Sequence, residues 1–209
     1  MNRIPRPVPI IDAGSGQDQH PARRPCWIST RWTAASAGRH RRQGDRPDGL
    51  DLKRGRTVRS LCYLMKNYHG VKLVLIAPPR FDLEPDIKAH LREHNIPFID
   101  DAKLEDALPS LDAIYVTRMQ SEWDTVGETR GIDYSGYSIT PDNLSRLKPS
   151  AVIMHPLPRG PEISPAVDDD PRAVYWRQER NGMWMRVAIL LKIFQADQIV
   201  RDFDVSTLN

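Results

Sequence analysis

Beyond Asp51 the apolar positions of this chain fall into two alternating spacings. Val58, Leu61, Cys62 and Met65 stand at i, i+3, i+4 and i+7, one face of a helix over 57–68, and Gly70 follows as its stop. The run at 71–77 (VKLVLIA) is short, β-rich and ended by Pro78 and Pro79, which reads as a buried strand. The alternation then repeats. Ile87 and Leu91 predict a helix over 84–94, followed by a short strand at 97–100, a short helix at 104–108 and a strand at 113–117 (AIYVT). Thr140 before Pro141 is a helix start, hydroxyl at the N-cap and proline at the first helical position, leading into Leu144 and Leu147. A strand at 151–154 (AVIM) comes next, and Met183, Val187, Leu190, Leu191 and Phe194 form an apolar stripe on a terminal helix over 183–194. Strands alternating with helices predict an α/β fold, a mainly parallel sheet with helices on both faces.

The stretch 21–50 breaks this pattern, with no sustained period of either kind, and is long for a loop inside a compact domain. It also holds the chain's excess of positive charge. Between Arg23 and Arg46 seven arginines face one acid, Asp45, a net +6 within a chain whose total is +3, which leaves −3 elsewhere. The basic balance therefore belongs to one odd segment, and the expectation is no nucleic-acid partner. Two cysteines, Cys26 and Cys62, make neither a disulfide framework nor a metal-ligand cluster, so no structural zinc is expected. No run of eighteen apolar residues exists, and prolines interrupt Met1 to Ile11 where a signal peptide needs an apolar core. A cytoplasmic protein with no membrane partner is the default expectation.

In open α/β sheets ligands lie beyond the carboxyl ends of the strands. Two strand ends here are rich in chemistry: Arg118, Met119 and Gln120 follow the strand at 113–117, and His155-Pro156-Leu157-Pro158-Arg159 follows the strand at 151–154. A third loop, Lys53-Arg54-Gly55-Arg56-Thr57, sets arginine beside a helix amino terminus, where unpaired N–H groups and the dipole favour anions. Several guanidinium groups in one crevice would suit a substrate with more than one carboxylate or phosphate. Taken singly, an arginine after a strand is more often a solvated charge, and His155 is equally a packed, hydrogen-bonded histidine. Composition and spacing stop at an anion-binding α/β domain.

Three motifs, Gly55-Arg56-Thr57-Val58-Arg59-Ser60-Leu61, Tyr115-Val116-Thr117-Arg118-Met119-Gln120 and His155-Pro156-Leu157-Pro158-Arg159, closely resemble in order and spacing the aspartate-domain motifs of aspartate carbamoyltransferase catalytic chains. Asn181-Gly182, Arg186 and the apolar helix resemble the family's ending. The sister enzymes that use ornithine typically carry cysteine where Pro156 stands. The resemblance implies transfer of the carbamoyl group from carbamoyl phosphate to L-aspartate, in pyrimidine biosynthesis, with no metal or organic cofactor and a homotrimer in the intact enzyme. It implies that Arg56, Arg118 and Gln120 hold the aspartate carboxylates, with Arg56 also at the catalytic centre. Backbone carbonyls around Pro156 and Leu157 would take the carbamoyl NH2 group, with Leu157–Pro158 cis. Gln19-His20-Pro21 resembles the loop whose histidine, here His20, hydrogen-bonds the carbamoyl carbonyl.

Two departures qualify the match. The family's phosphate-binding Ser-Thr-Arg-Thr loop, and the lysine loop that a neighbouring subunit contributes, have no counterpart in the 209 residues. Where the family has a leucine-rich helix and a strand, this chain has the arginine-rich segment. Codons for Arg24 to Thr33 read out of register can spell Ala-Leu-Leu-Asp-Leu-Tyr-Thr-Leu-Asp, and those for Gly44 to Asp48 can spell Val-Ile-Ala-Leu-Thr. The expected organisation is thus 1–22, a remnant of the carbamoyl-phosphate-site loop; 23–50, a frame-shifted or disordered segment; 51–180, the aspartate-binding domain; and 181–209, a helix packing on a domain not represented in the chain. The alternative is a non-catalytic remnant or inactive paralogue that binds a catalytic chain.

Overall fold

The computed structural model describes residues 51–118, 133, 135–196 and 198. Helix α1 (Arg56–Leu64) has nine residues, fewer than the roughly 12–15 at which an isolated helix becomes marginal in water. Packing must hold it. Val58, Leu61, Cys62 and Met65, the face predicted from spacing, are all at most 1% exposed. They pack in one cluster with Ile87 and Leu91 of helix α2 (Pro85–Glu93). At about 1.5–3 kcal/mol for each buried aliphatic side chain, this outweighs the cost of so short a helix. Arg59 of α1 also pairs with Asp86 in the first turn of α2.

Strand β1 (Leu73–Val74) pairs in parallel with β2 (Phe98–Ile99), Leu73 opposite Phe98. Strand β3 (Ala113–Tyr115) pairs in parallel with β4 (Val152–Met154), from Ala113 opposite Val152 to Tyr115 opposite Met154. Pattern alone predicts one sheet, whereas the hydrogen-bonded ladders form two parallel two-stranded sheets. The difference lies in pairing length: most of the apolar run 71–77 extends beyond the two residues paired with β2.

Side-chain parity nevertheless joins the two pairs into one layered core. Leu73, Leu75, Ala113, Tyr115 and Met154 point into the cluster that holds α1 and α2. Their alternates Val74, Ile76, Ile114, Val116 and Ile153 join a second cluster, with Leu104 and Ala107 of helix α3 (Leu104–Ala107) and Leu144 of helix α4 (Pro141–Leu144). Period-two alternation thus feeds two apolar layers with helices on both faces, as the spacing predicts. Thr140 is the N-cap of α4 and Pro141 its first residue. The Asn143 side chain accepts the Thr140 N–H at 3.0 Å and donates to the Ser138 carbonyl at 2.8 Å.

Helix α5 (Tyr175–Ile193) begins eight residues earlier than its apolar stripe indicates. Its first two turns are anchored by buried Tyr175 and Gln178 rather than by a periodic stripe, so spacing does not announce them. The predicted stripe is exposed instead: Met183 49%, Val187 39%, Leu190 44% and Phe194 75%, with Trp184 at 59%. Among the described residues no helix is long and apolar enough to cross a membrane.

Candidate functional site

Three loops meet at the carboxyl ends of the strands. The first, Asp51 to Gly55, leads into α1 and is tied down by its backbone. Leu52 and Lys53 both donate to the Phe81 carbonyl at 2.9 and 3.0 Å. The Arg54 N–H donates to Asp51 Oδ1 at 2.9 Å, and the Asp51 N–H donates to Thr117 Oγ1 at 3.4 Å. A Cβ on Gly55 would lie 2.6 Å from the Asp51 carbonyl oxygen, closer than real Cβ atoms come, so the tight approach needs glycine. Gly55 is the N-cap of α1 and offers no side-chain cap, and the first turn carries no acid. Among the described residues the helix amino terminus therefore keeps N–H groups available to an anion. Arg56, half-buried, is its first residue.

Thr117, 2% exposed, is the link between this loop and the end of β3. Arg118 follows it, half-buried. The Asp51–Thr117 bond therefore brings the backbones that carry Arg56 and Arg118 to one edge of the molecule.

The third loop follows β4, beside the end of β3 because the Val116 N–H donates to the Met154 carbonyl at 2.9 Å. His155 is 1% exposed and committed on every side. Its N–H donates to Gln178 Oε1 at 3.1 Å, and its Nδ1 accepts the Leu157 N–H at 2.8 Å. With Nδ1 accepting, the proton sits on Nε2 and is donated to Glu162 Oε1 at 2.9 Å. The Gly160 N–H reaches the same carboxylate oxygen at 2.7 Å. Burial acts to raise the Glu162 pKa, but hydrogen bonds from His155, Gly160 and its own N–H overcome it and hold the carboxyl below its ordinary value. Of the two readings open for His155, the structure selects the packed, hydrogen-bonded one: this side chain braces the turn. The turn it braces contains Leu157 at φ 53° and a cis Leu157–Pro158 bond, as expected. Pro156 and Leu157 are half-buried and line, with Trp176 and Glu179 of α5, an open groove of about 720 Å³.

Two of the guanidinium groups placed near these strand ends serve the scaffold. Arg54 is buried with its guanidinium 4.8 Å over the Phe81 ring. Arg159 pairs with Asp168 at 2.5 Å, and Asp168 also accepts the Tyr175 hydroxyl. His20 and Gln120 lie outside the described residues. Asp51, Thr117, Glu162 and Gln178 were not among the candidates from sequence. Asp51 had a local signal, a carboxylate three residues ahead of the Arg54 amide, and Thr117 stood inside a quoted motif; Gln178 acts across 23 positions and had none. The described residues that could hold a metal ion, His90, Glu93 and His94, lie at the carboxyl end of α2 and not in these loops.

The family model of the aspartate/ornithine carbamoyltransferase Asp/Orn-binding domain matches residues 49–193. The chain is 38% identical over 186 residues to the aspartate carbamoyltransferase catalytic subunit of Methanocorpusculum labreanum, a match covering 89% of this chain and 60% of the relative. Its fold superposes on the catalytic subunit of M. jannaschii aspartate transcarbamoylase with a TM-score of 0.75 at 34% identity, covering 91% of this chain and 61% of that one. Aspartate transcarbamoylase from Trypanosoma cruzi, solved with N-(phosphonacetyl)-L-aspartic acid, gives a TM-score of 0.73 at 30% identity, covering 86% and 57%. The chain thus spans about 60% of the length of such relatives. With an α/β core, a bare helix amino terminus carrying Arg56 and a braced cis-proline turn in the matched region, the chain belongs to the aspartate/ornithine carbamoyltransferase family, through its Asp/Orn-binding domain.

Proposed function

We propose that this chain supplies the aspartate side of a carbamoyl-transfer site. The observation that carries the reading is the Asp51–Thr117 link, which sets Arg56 at an uncapped helix amino terminus and Arg118 on adjoining loops. In this reading Arg56, Arg118 and Gln120 hold the two carboxylates of L-aspartate, since guanidinium groups match carboxylates in paired hydrogen bonds. The carbonyls of Pro156 and Leu157 accept from the carbamoyl NH2 group, in a turn kept in shape by the His155–Glu162 brace. The aspartate amine attacks the carbamoyl carbon, a C–N bond forms, the amine loses a proton and the C–O bond to phosphate breaks. His20 would donate to the carbamoyl carbonyl as charge develops on its oxygen. Holding both reactants in one orientation lowers the barrier in the same way as intramolecularity.

Carbamoyl phosphate would need a further domain, because the 209 residues contain no Ser-Thr-Arg-Thr sequence. The exposed apolar face of α5 is the surface on which that domain would pack. A homotrimer belongs to the same proposal. The test is formation of N-carbamoyl-L-aspartate by the 209-residue chain alone and after fusion behind the carbamoyl-phosphate domain of the M. labreanum relative. Turnover of L-aspartate by the fusion and none by the chain alone supports the reading. Equal turnover by the chain alone, or use of L-ornithine in place of L-aspartate, defeats it. A second reading, a non-catalytic partner of a complete catalytic chain, is favoured by the same missing sequence; it requires an inactive fusion together with stable co-purification with an intact catalytic subunit.

A further inference from the structure

Helix α2 ends in His90-Leu91-Arg92-Glu93 with His94 as its C-cap, and the His94 N–H donates to the His90 carbonyl at 3.1 Å, which sets the two histidines one turn apart. One ligand atom from each of His90, Glu93 and His94 lies within 4.8 Å of the others. Two features of these side chains are what a metal-binding pair needs. The His94 ring is held by a contact of Nδ1 with the His90 carbonyl at 3.0 Å; with Nδ1 donating, the lone pair is left on Nε2. His90 is 8% exposed, and its buried Nε2 has no hydrogen-bond partner among the described residues. Histidines that ligate metals characteristically donate their other ring N–H to a carbonyl or carboxylate, which fixes the tautomer and aims the lone pair. The ring of His90 is further fixed between Tyr63 and His94, with centroids 4.1 and 4.2 Å away.

We propose that His90, Glu93 and His94 form a binding site for a borderline divalent transition-metal ion such as Zn2+, separate from the strand-end loops. Two imidazoles and a carboxylate suit this class of ion, and histidines at i and i+4 of a helix are a recurrent zinc pair. Metal–nitrogen bonds of about 2.0–2.1 Å would draw the ligand atoms closer than 4.8 Å, a movement open to the exposed His94 and Glu93 side chains. Lys66 opposes any cation here, and Glu93 offsets it. His94 also lines a groove of about 840 Å³ at the amino ends of β1 and β2, which leaves an approach for the ion and its remaining water ligands. Because α2 is held in place by its packing on α1 through Tyr63 and the apolar cluster, an ion bound to the folded form would raise stability by mass action.

The experiment titrates Zn2+ into the 209-residue chain by competition with a chromophoric chelator and follows thermal unfolding with Zn2+, Mg2+ or EDTA. His94→Gln and Glu93→Gln are the informative variants, because both residues are exposed and neither substitution opens the core. The expected results are a melting temperature raised by Zn2+ and not by Mg2+, and an affinity weakened by about tenfold or more in His94→Gln, as for loss of a group supporting a metal site. Zinc affinity in His94→Gln within twofold of the parent would overturn the proposal by placing the ion on other ligands. So would a parent chain whose melting temperature Zn2+ does not raise, which would leave His90 as a histidine packed on Tyr63. Neither outcome bears on aspartate binding.

Discussion

Replacement of Glu162 by alanine should be among the most damaging single changes in the domain. The side chain is 1% exposed and receives the His155 Nε2–H at 2.9 Å and the Gly160 N–H at 2.7 Å. Each hydrogen bond to a charged acceptor is worth about 1.5–3 kcal/mol, and removal strands two buried donors. Relief of the carboxylate's own burial offsets part of this, for a net loss of about 3–5 kcal/mol. At roughly 2–4 °C per kcal/mol for a chain of this size, the melting temperature should fall by about 6–20 °C. Glu162→Gln keeps an acceptor and should lose less. The pH dependence carries an independent signature. The folded-state pKa lies below the ordinary 4.5, so the contribution of this group is complete above that value and is lost as the pH falls through the folded value. Urea unfolding from pH 7 down to pH 3 should therefore show parent and Glu162→Ala converging at the acid end. A loss under about 1 kcal/mol at pH 7, or a parent–variant gap that does not change with pH, would refute the reasoning.

Gly55→Ala places a methyl group 2.6 Å from the Asp51 carbonyl oxygen. The loop before α1 must shift, at about 1–3 kcal/mol by urea unfolding, and a stability equal to the parent's would show that the loop yields freely. Cys62 is fully buried, and burial pushes its thiol up to about 12. Iodoacetamide at pH 8 should leave it unlabelled in the native chain and label it in urea, read by peptide mass spectrometry; native labelling at the rate of a free thiol would contradict the buried position.

The strands and the apolar faces of α1 and α2 were legible in the sequence because burial on one face leaves a period. Val58, Leu61, Cys62 and Met65 carry that record plainly. The first turns of α5 were not legible, since they are held by Tyr175 and Gln178 through contacts that no local spacing encodes. The same limit applies at the candidate site. Arg56, Arg118, Pro156 and Leu157 were named from motifs at strand and helix ends, and the structure places them at that edge. The brace formed by His155, Glu162 and Gln178 spans up to 23 positions and appears only when the chain is folded. Arg54 and Arg159 stand in the loops singled out at the helix and strand ends, but no local pattern reveals their partners, Phe81 and Asp168, which tie them to the scaffold.

The central claim is that the aspartate side of a carbamoyl-transfer site lies between α1 and the ends of β3 and β4. It is tested most directly by kcat/KM for L-aspartate in the fusion with the M. labreanum carbamoyl-phosphate domain, comparing Arg118 with Arg118→Ala. Loss of a buried charged contact to substrate is expected to cost about 2–5 kcal/mol, roughly a 30- to 5,000-fold fall in kcat/KM. An Arg118→Ala fusion within twofold of the parent would contradict the account.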